Sequence, residues 1–487
     1  MICKLRKVGL ILSSILLMAS MTNAQSGNSS SQQPLPPLSP LGPQRTVGDP
    51  GTPGDTSTGR SEQVMADAHT LAGAQELTLG TSATARNFIL PSFSVVTQVG
   101  TNPFTRGPGA NSQPGTLSTS YLSGRLGLNR RSDRSEFLLD YIAGASFSND
   151  PTLGNSLIQG LDASETVRLG RWSLLFADQF NYLGSSPFGF GGLGGLKNLG
   201  VGLGNGVGSS PGISSSFAPG QSIYINGTPR IINVGLGQTT YALSHRSTLT
   251  FVGSYGVQDF LESRLQNSNV VSFQGGYDYL LSRQSAISVF YRFDDFSLSN
   301  LAQSFRAHSI QAAFARRIAG RLSWRVGGGA SIQQYQNPLS GSGTVVGPTA
   351  FTELQYQLRY TRFGLSYSHS LTDGSGILPG AETDIFSGTA TRTFGRNWDS
   401  SVVAGYSRNQ ALRQTLAATA GESPQTWFTT ILINRRFVGY GALFVGYTAS
   451  GQSSLSSVCV LPVCRINSVT STASVGYTWG LRPITLE

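Results

Sequence analysis

Apolar and polar side chains alternate along most of this chain. In the stretch RLSWRVGGGASIQ, which begins at Arg321, the even-numbered residues are apolar or small and most odd-numbered ones are polar. The stretches TELQYQLRY and FGLSYSHSL repeat the pattern, and so do residues 469–479 near the end. A period of two is typical of β-strands that have one apolar and one polar face.

The alternating segments number about eighteen, with sixteen as a lower bound, and most have about 10 to 14 residues, enough for a tilted span of a bilayer. Very short turns, each beside an arginine, connect them in alternation with longer loops rich in Gly, Asn, Ser and Pro, including 184–230 and 336–348. The predicted strands are residues 88–99, 118–129, 135–147, 159–169, 171–183, 231–243, 246–258, 268–281, 284–297, 305–318, 321–335, 349–361, 363–371, 381–394, 397–409, 425–437, 440–450 and 468–480.

A soluble β-sandwich would also alternate, but its strands average about 5–6 residues. Here the strands are about twice as long, and the polar face is built from Ser, Gly, Thr and Gln with few Lys. Strands in lipid must pair all their backbone groups, which requires closure. Short turns on one side and long loops on the other fit the outer-membrane pattern. We therefore predict an all-β fold: a single transmembrane antiparallel up-and-down β-barrel over residues 87–481, with both chain ends in the periplasm.

The first 86 residues have a different character. Lys4, Arg6 and Lys7 precede the short apolar run Val8–Met18, and a small-residue cleavage site follows at Ala24, so residues 1–24 are predicted to be a secretory signal peptide. A transmembrane anchor is disfavoured because the run is too short. Residues 25–86 are rich in Pro, Gly and Ser and are predicted to form a flexible periplasmic tail, with one short helix within 61–77.

Composition adds two constraints. Charged residues make up 12% of the chain, about half the usual share, while glycine is abundant at 60 residues. Removal of the signal lowers the formal net charge from +10 to +7, a mild excess that together with export argues against a nucleic-acid partner.

The stretch Phe363–Asn409 shows the repeating unit in full: a strand, a Gly-rich loop, a strand, a tight turn with an arginine, and a strand. In this layout the chain resembles the outer-membrane β-barrel porins of Gram-negative bacteria, over residues 87 to 480. The resemblance implies assembly by the outer-membrane insertion machinery, which generally favours a final strand that ends in an aromatic residue. Tyr477 and Trp479 are suitably placed, but the chain departs from that pattern by continuing to Glu487.

The stretch FGFGGLGG contains a G-x-G-x-x-G at Gly189, Gly191 and Gly194. A dinucleotide loop requires a preceding buried strand, a following helix and an acidic residue about 20 positions on, none of which is found here, so the match reflects glycine density. It lies in the third long loop, 184–230. In general porins the third long loop folds into the barrel and narrows the pore; a flexible extracellular flap is the alternative.

Charged residues at predicted lumenal positions are of both signs. Rings of one sign would select ions, so this mixture predicts weak selectivity at most. The alternative, that these groups pair and brace the wall, stays open. The predicted pore-lining residues are Arg125, Asp140, Asp278, Arg292, Asp294, Arg325, Glu353 and Arg359.

The remaining candidate chemistry is sparse. Cys459 and Cys464 are expected to form a local disulfide, since a metal site would need further ligands near them. His308 and His369 fall on apolar faces, His245 in a short turn and His69 before the barrel, so no catalytic, metal or cofactor site is expected, and the protein is not expected to be an enzyme. Aromatic residues near strand ends are predicted to be membrane anchors rather than a sugar-binding ladder: Trp172, Trp324, Trp398, Trp427, Trp479, Tyr360 and Tyr440.

We therefore expect a passive outer-membrane pore whose partners are membrane lipid, the insertion machinery and small hydrophilic solutes. Whether it forms a homo-oligomer stays open. The alternative is a non-conducting barrel with a structural or adhesive role, or the outer-membrane component of a polysaccharide export system. An energy-coupled importer is disfavoured because residues 25–86 are too few and too polar for a globular plug.

Overall fold

Almost all of the residues that the computed structural model describes lie in β-strands. The described residues are 71–74, 87–101, 115–150, 154–183, 217, 229–261, 265–299, 303–318, 321–337, 341–374, 378, 380–395, 397–412, 423–437, 441–453 and 468–486. The strands are β1 Phe88–Thr101, β2 Thr116–Arg131, β3 Ser135–Ser148, β4 Ser156–Leu169, β5 Trp172–Leu183, β6 Arg230–Ala242, β7 Ser247–Phe260, β8 Ser268–Ser282, β9 Ser285–Leu298, β10 Gln303–Ile318, β11 Leu322–Asn337, β12 Gly341–Gln357, β13 Thr361–Thr372, β14 Ala381–Phe394, β15 Trp398–Ala411, β16 Gln425–Arg436, β17 Gly441–Ser453, β18 Ser468–Gly480 and the two-residue β19 Ile484–Thr485.

Each of the strands β1 to β18 pairs antiparallel with its neighbours in chain order, and β1 also pairs with β18. In that closing pair Ser92 lies opposite Gly480 and Gly100 lies opposite Thr472. The sheet is therefore a closed barrel of eighteen strands, which confirms the predicted fold class and strand number. No helix in the described ranges is long and apolar enough to cross a bilayer.

The two faces of the sheet differ in burial as the period of two requires. Large apolar side chains stand exposed on one face, among them Ile310, Leu365 and Val469, which are 64%, 60% and 71% exposed. On the other face Thr250 and Ser272 are fully buried. We call these the outer and the inner face. The barrel thus presents an apolar surface outward and a largely polar one to its interior.

The two rims of the barrel also differ. At one rim, the turn end, the connections between strands are short, and Gly170 (φ 60°) and Gly395 (φ 63°) supply left-handed backbone in two of them. The opposite rim, the loop end, carries the longer connections, including residues 184–229 between β5 and β6. Strand β1 starts at the turn end, since Phe88 lies opposite Asn129 close to the β2–β3 turn.

The largest departure from the predicted strands is the β11–β12 hairpin. Residues 336–348 were expected to be a loop, but β11 extends to Asn337 and β12 begins at Gly341. The stretch was expected to be a loop because it is rich in Gly, Asn, Ser and Pro, and its Pro348 cannot donate a hydrogen bond to a neighbouring strand. It is tolerated because β12 pairs with β13 only from Ala350 onward, so at Pro348 the strand has one neighbour.

The residues after β18 continue the seam of the barrel. The backbone N–H of Leu481 donates to the carbonyl oxygen of Pro91 at 2.9 Å, and that of Leu486 donates to the carbonyl of Asn87 at 3.0 Å. Between them β19 pairs with the first two residues of β1. The extension beyond Trp479, which departs from the expected aromatic ending, therefore covers the turn end of β1.

Candidate functional site: the barrel interior

Hydroxyl side chains line much of the inner face, and they bond to one another across neighbouring strands. The Oγ atoms of Ser94 and Ser123 lie 2.7 Å apart, and those of Ser366 and Ser387 lie 2.6 Å apart. Thr430 bonds to the hydroxyl of the neighbouring strand at 3.1 Å in the same way. Such pairs follow from cross-strand register, which brings side chains on one face together. The result is a polar wall that can hydrogen-bond to water and to uncharged solutes.

Three ion pairs join inward-facing charges of opposite sign. The Nε of Arg125 donates to Oδ1 of Asp140 at 2.7 Å, from β2 to β3. Arg325 and Glu353 lie directly opposite on β11 and β12, and their side chains are 2.5 Å apart. The third pair, Arg292 with Asp294, lies within β9 at 2.8 Å, since residues two apart share a face of a strand.

The predicted pore-lining residues were left open between ion selection and bracing of the wall, and these contacts bear on that choice. Six of the eight are joined as three pairs on the inner face, as the bracing interpretation requires. Arg359 is a correction: β12 ends at Gln357, so Arg359 lies exposed in the β12–β13 turn, its guanidinium 5.0 Å from the ring centroid of Tyr360. Sequence alternation continued the strand four residues too far.

Asp278, the eighth residue, binds a segment from the N-terminal part of the chain. The backbone N–H of Ala72 donates to its Oδ1 at 3.1 Å, and Gln274 donates to the carbonyl of Ala72 at 2.8 Å. The N–H of Ala74 donates to Oε1 of Gln238 at 2.9 Å. Leu71–Ala74, the inner segment, is thus held inside the barrel against β6 and β8.

The wall is shaped to receive this inner segment. A Cβ on Gly276 would lie 2.5 Å from the Cβ of Ala72 and 2.7 Å from that of Phe290, so glycine leaves the space that the segment occupies. Ala72 and Ala74 are fully buried. These four residues lie within the stretch 25–86 that was predicted to be a flexible periplasmic tail; they are turn and bend, and they bind the inner face.

One described residue of the long third loop also lies in the interior. Phe217 is 1% exposed and packs with Ala74, Leu175 and Val234. The guanidinium carbon of Arg292 stands 4.4 Å from its ring centroid. At Phe217, therefore, the chain folds inward, as one of the two alternatives for the loop 184–230 required. The glycine motif at 189–194 lies outside the described residues.

A second interior contact closes part of the loop end. Ser268 at the start of β8 donates its hydroxyl to Oδ2 of Asp373 at 2.5 Å, although β13 is five strands away. Phe305 lies against Gly380 of the same β13–β14 connection, whose φ of 87° and lack of a side chain permit the close approach. Sequence alternation gave no signal for these contacts, because they join residues of the β13–β14 connection to the inner faces of β8 and β10.

The other candidate residues lie outside the lumen or outside the described ranges. His308 and His369 are on the outer face, bonded to Tyr291 at 2.7 Å and to Asp384 at 2.8 Å, and His245 is in the exposed β6–β7 turn. Within the described ranges no cluster of three His, Cys, Asp or Glu could hold a metal. Cys459, Cys464, His69 and Tyr440 are not among the described residues. Trp172, Trp398, Trp427 and Trp479 are exposed outward near strand ends.

Comparison with known proteins gives distant structural similarities only. No family model matches the chain, and no curated protein matches it. Solved structures that it resembles include OpdQ of Pseudomonas aeruginosa, with 12% identity over 82% of this chain and 98% of that chain and a TM-score of 0.40. The outer membrane protein OpdK of the same organism gives 9% identity, 81% and 98% coverage and a TM-score of 0.39. OprD of Pseudomonas aeruginosa gives 8% identity over 83% of this chain and 98% of that chain, with a TM-score of 0.39.

Proposed function

We propose that this protein is an outer-membrane channel through which small hydrophilic solutes diffuse. The observation that carries the proposal is the division of the closed barrel into an apolar outer face and an inner face of bonded hydroxyls and paired charges. An apolar outer surface suits lipid, and a polar interior keeps water favourable along the axis. The turn end then faces the periplasm and the loop end faces outward.

The interior suggests a narrow channel of low ion selectivity. Arg125, Arg292 and Arg325 each have a carboxylate within hydrogen-bond distance, so these three pairs offer little net charge to attract ions of one sign. The inner segment and Phe217 occupy space along the β5–β9 side. We infer that solutes pass mainly along the hydroxyl-lined wall, where uncharged polar groups bind them weakly.

Single-channel recording in planar bilayers tests this function. The refolded barrel is expected to conduct in potassium chloride, and the permeability ratio of potassium to chloride is expected to lie close to unity. Liposome swelling with neutral sugars of increasing size would give the size limit. A barrel that inserts but conducts neither in its full form nor without residues 25–80 would contradict the channel and favour the non-conducting structural role.

No catalytic role is proposed. The outward histidines are bonded to Tyr291 and Asp384 at positions away from the lumen, and a solute in the channel would not meet them. The proposal accordingly includes no cofactor, and the protein is expected to release every tested solute unchanged. Incubating the barrel with phospholipid and with ester substrates, followed by product analysis, would reveal a hydrolytic activity that this proposal excludes.

A further inference from the structure

Exposed arginines are concentrated at the turn end of the barrel, and the channel function makes no use of them. Six of them form what we call the arginine belt; four lie at outward positions of strands and two in turns. Asp133 is the only well-exposed acidic side chain described at that rim. At the loop end, by contrast, the described outward charges are mixed, as in the pair Arg306–Asp295 at 3.5 Å. The belt consists of Arg130, Arg246, Arg316, Arg359, Arg392 and Arg435.

Two of the belt arginines, Arg392 and Arg435, lie directly on outward aromatic rings. The guanidinium carbon of Arg435 is 5.2 Å from the ring centroids of both Trp398 and Phe437. That of Arg392 is 4.9 Å from the ring of Phe394. The rings of Phe394, Trp398 and Phe437 are between 41% and 48% exposed, so these two guanidinium groups stand at the boundary between the apolar outer surface and the water beyond the rim.

This boundary is where lipid headgroups lie around a membrane barrel. Aromatic side chains at strand ends sit at headgroup depth, and a guanidinium beside them can bond a phosphate through two N–H groups. Lysine, which lacks that planar fork, occurs only at Lys4, Lys7 and Lys197 and is absent from the barrel strands. The belt therefore has the chemistry of a phosphate-binding surface.

We propose that the arginine belt binds the headgroup phosphates of anionic phospholipids in the leaflet at the turn end. The lipid tails would contact the exposed rings and aliphatic side chains of the outer face, and the phosphates would bond to the guanidinium groups above them. An acidic polysaccharide or protein would use the charges but gains nothing from the rings that face the acyl chains. The inference rests on insertion of the barrel into a membrane and is independent of conduction.

The sequence supplies matched controls, since three strands carry adjacent arginines at this rim. In β2, β10 and β16 the first arginine of each pair points outward and the second inward, because successive residues of a strand face opposite sides. The outward triple variant changes Arg130, Arg316 and Arg435 to glutamine. The inward triple variant changes Arg131, Arg317 and Arg436. Both remove the same charge from the same strands.

Tryptophan quenching by brominated lipids measures the binding in bilayers. Trp324 lies opposite Arg316 in the β10–β11 pairing, and Trp398 lies under Arg435, so a brominated lipid held by the belt would quench both. In mixtures of phosphatidylcholine with phosphatidylglycerol, we expect the wild-type barrel and the inward triple variant to be quenched preferentially by brominated phosphatidylglycerol. The outward triple variant should lose that preference, by roughly fivefold in relative affinity per arginine removed.

Several outcomes would overturn the proposal. Equal lipid preference in the two triple variants would do so, as would a loss of preference confined to the inward triple variant. Binding of isolated peptidoglycan that depends on the outward arginines, with no lipid preference in any form, would show that the belt serves another partner. Heat-modifiable migration on gels checks that each variant folds. If a triple variant does not fold, the single Arg435→Gln variant replaces it, and we expect it to lose about one third of the free energy of the lipid preference that the outward triple variant loses.

Discussion

At the scale of single residues, the lumenal charges show what alternation can and cannot predict. A strict period of two was enough to place Arg325 and Glu353 on the inner face. It could not predict that they are directly opposite one another, because cross-strand register depends on turns and strand ends. The same limitation misplaced Arg359, whose position beyond the end of β12 depends on where the β12–β13 turn begins.

Removal of one member of a lumenal ion pair should create selectivity. In the Glu353→Gln variant the Arg325 guanidinium loses its carboxylate, and an uncompensated charge attracts an anion at 4 Å by about 1 kcal/mol even in water, a factor of about five. We expect the chloride-to-potassium permeability ratio, obtained from reversal potentials in a salt gradient, to rise by about that factor. The double variant Arg325→Gln/Glu353→Gln should return to the wild-type ratio; an unchanged ratio in the single variant would contradict the role assigned to the pair.

Glycine at one strand position is required by close backbone contact. A Cβ on Gly329 would collide with the carbonyl oxygen of Ile310 on the neighbouring strand, whereas a Cβ on Gly124 would meet nothing within 4 Å. Overpacking of this kind typically costs about 1–3 kcal/mol. We therefore expect Gly329→Ala to lower the temperature at which the barrel unfolds on heated gels and Gly124→Ala to leave it unchanged. Equal transitions in the two variants would show that β10 and β11 can separate without cost.

At the scale of elements, strands were predictable where the pattern was long and regular, and interior segments were not. Most strand bounds differ by one to three residues from those predicted, because each strand carries many alternating positions. The inner segment Leu71–Ala74 has no such pattern. Its attachment depends on backbone N–H and C=O groups, which every sequence carries, and on side chains of β6 and β8 more than 150 residues away.

The inner segment should restrict the channel. Deletion of residues 25–80 removes it while retaining Asn87, whose side chain accepts the backbone N–H of Arg131 at 2.6 Å. We expect a larger single-channel conductance, because the space beside Asp278 and Gly276 then fills with water. The double variant Gln238→Ala/Gln274→Ala keeps the full chain but loses the hydrogen bonds that these two side chains form with the inner segment. It should show flicker between the small and the large conductance. Identical conductance in all three forms would mean that ions pass elsewhere.

At the scale of the whole molecule, closure of the barrel depends on contacts between the first and last strands. The long alternating strands predicted closure, because open edges in lipid leave backbone groups unpaired. They did not predict how the seam is completed. The β1–β18 pairing reaches only Ser92, so Phe88–Pro91 would present free backbone groups on that side without the extension that contains β19.

Removal of residues 481–487 tests the seam. The truncation ends the chain one residue beyond Trp479 and removes the bonds from Leu481 and Leu486 and the pairing of β19. Each lost backbone bond costs roughly 1 kcal/mol. We therefore expect the truncated barrel to unfold at lower urea concentration in vesicles than the full chain. The variant Ile484→Ser/Thr485→Ser keeps the backbone bonds and should match the full chain, since both side chains are exposed. If the truncated and full barrels unfold together, β1 needs no partner at the turn end.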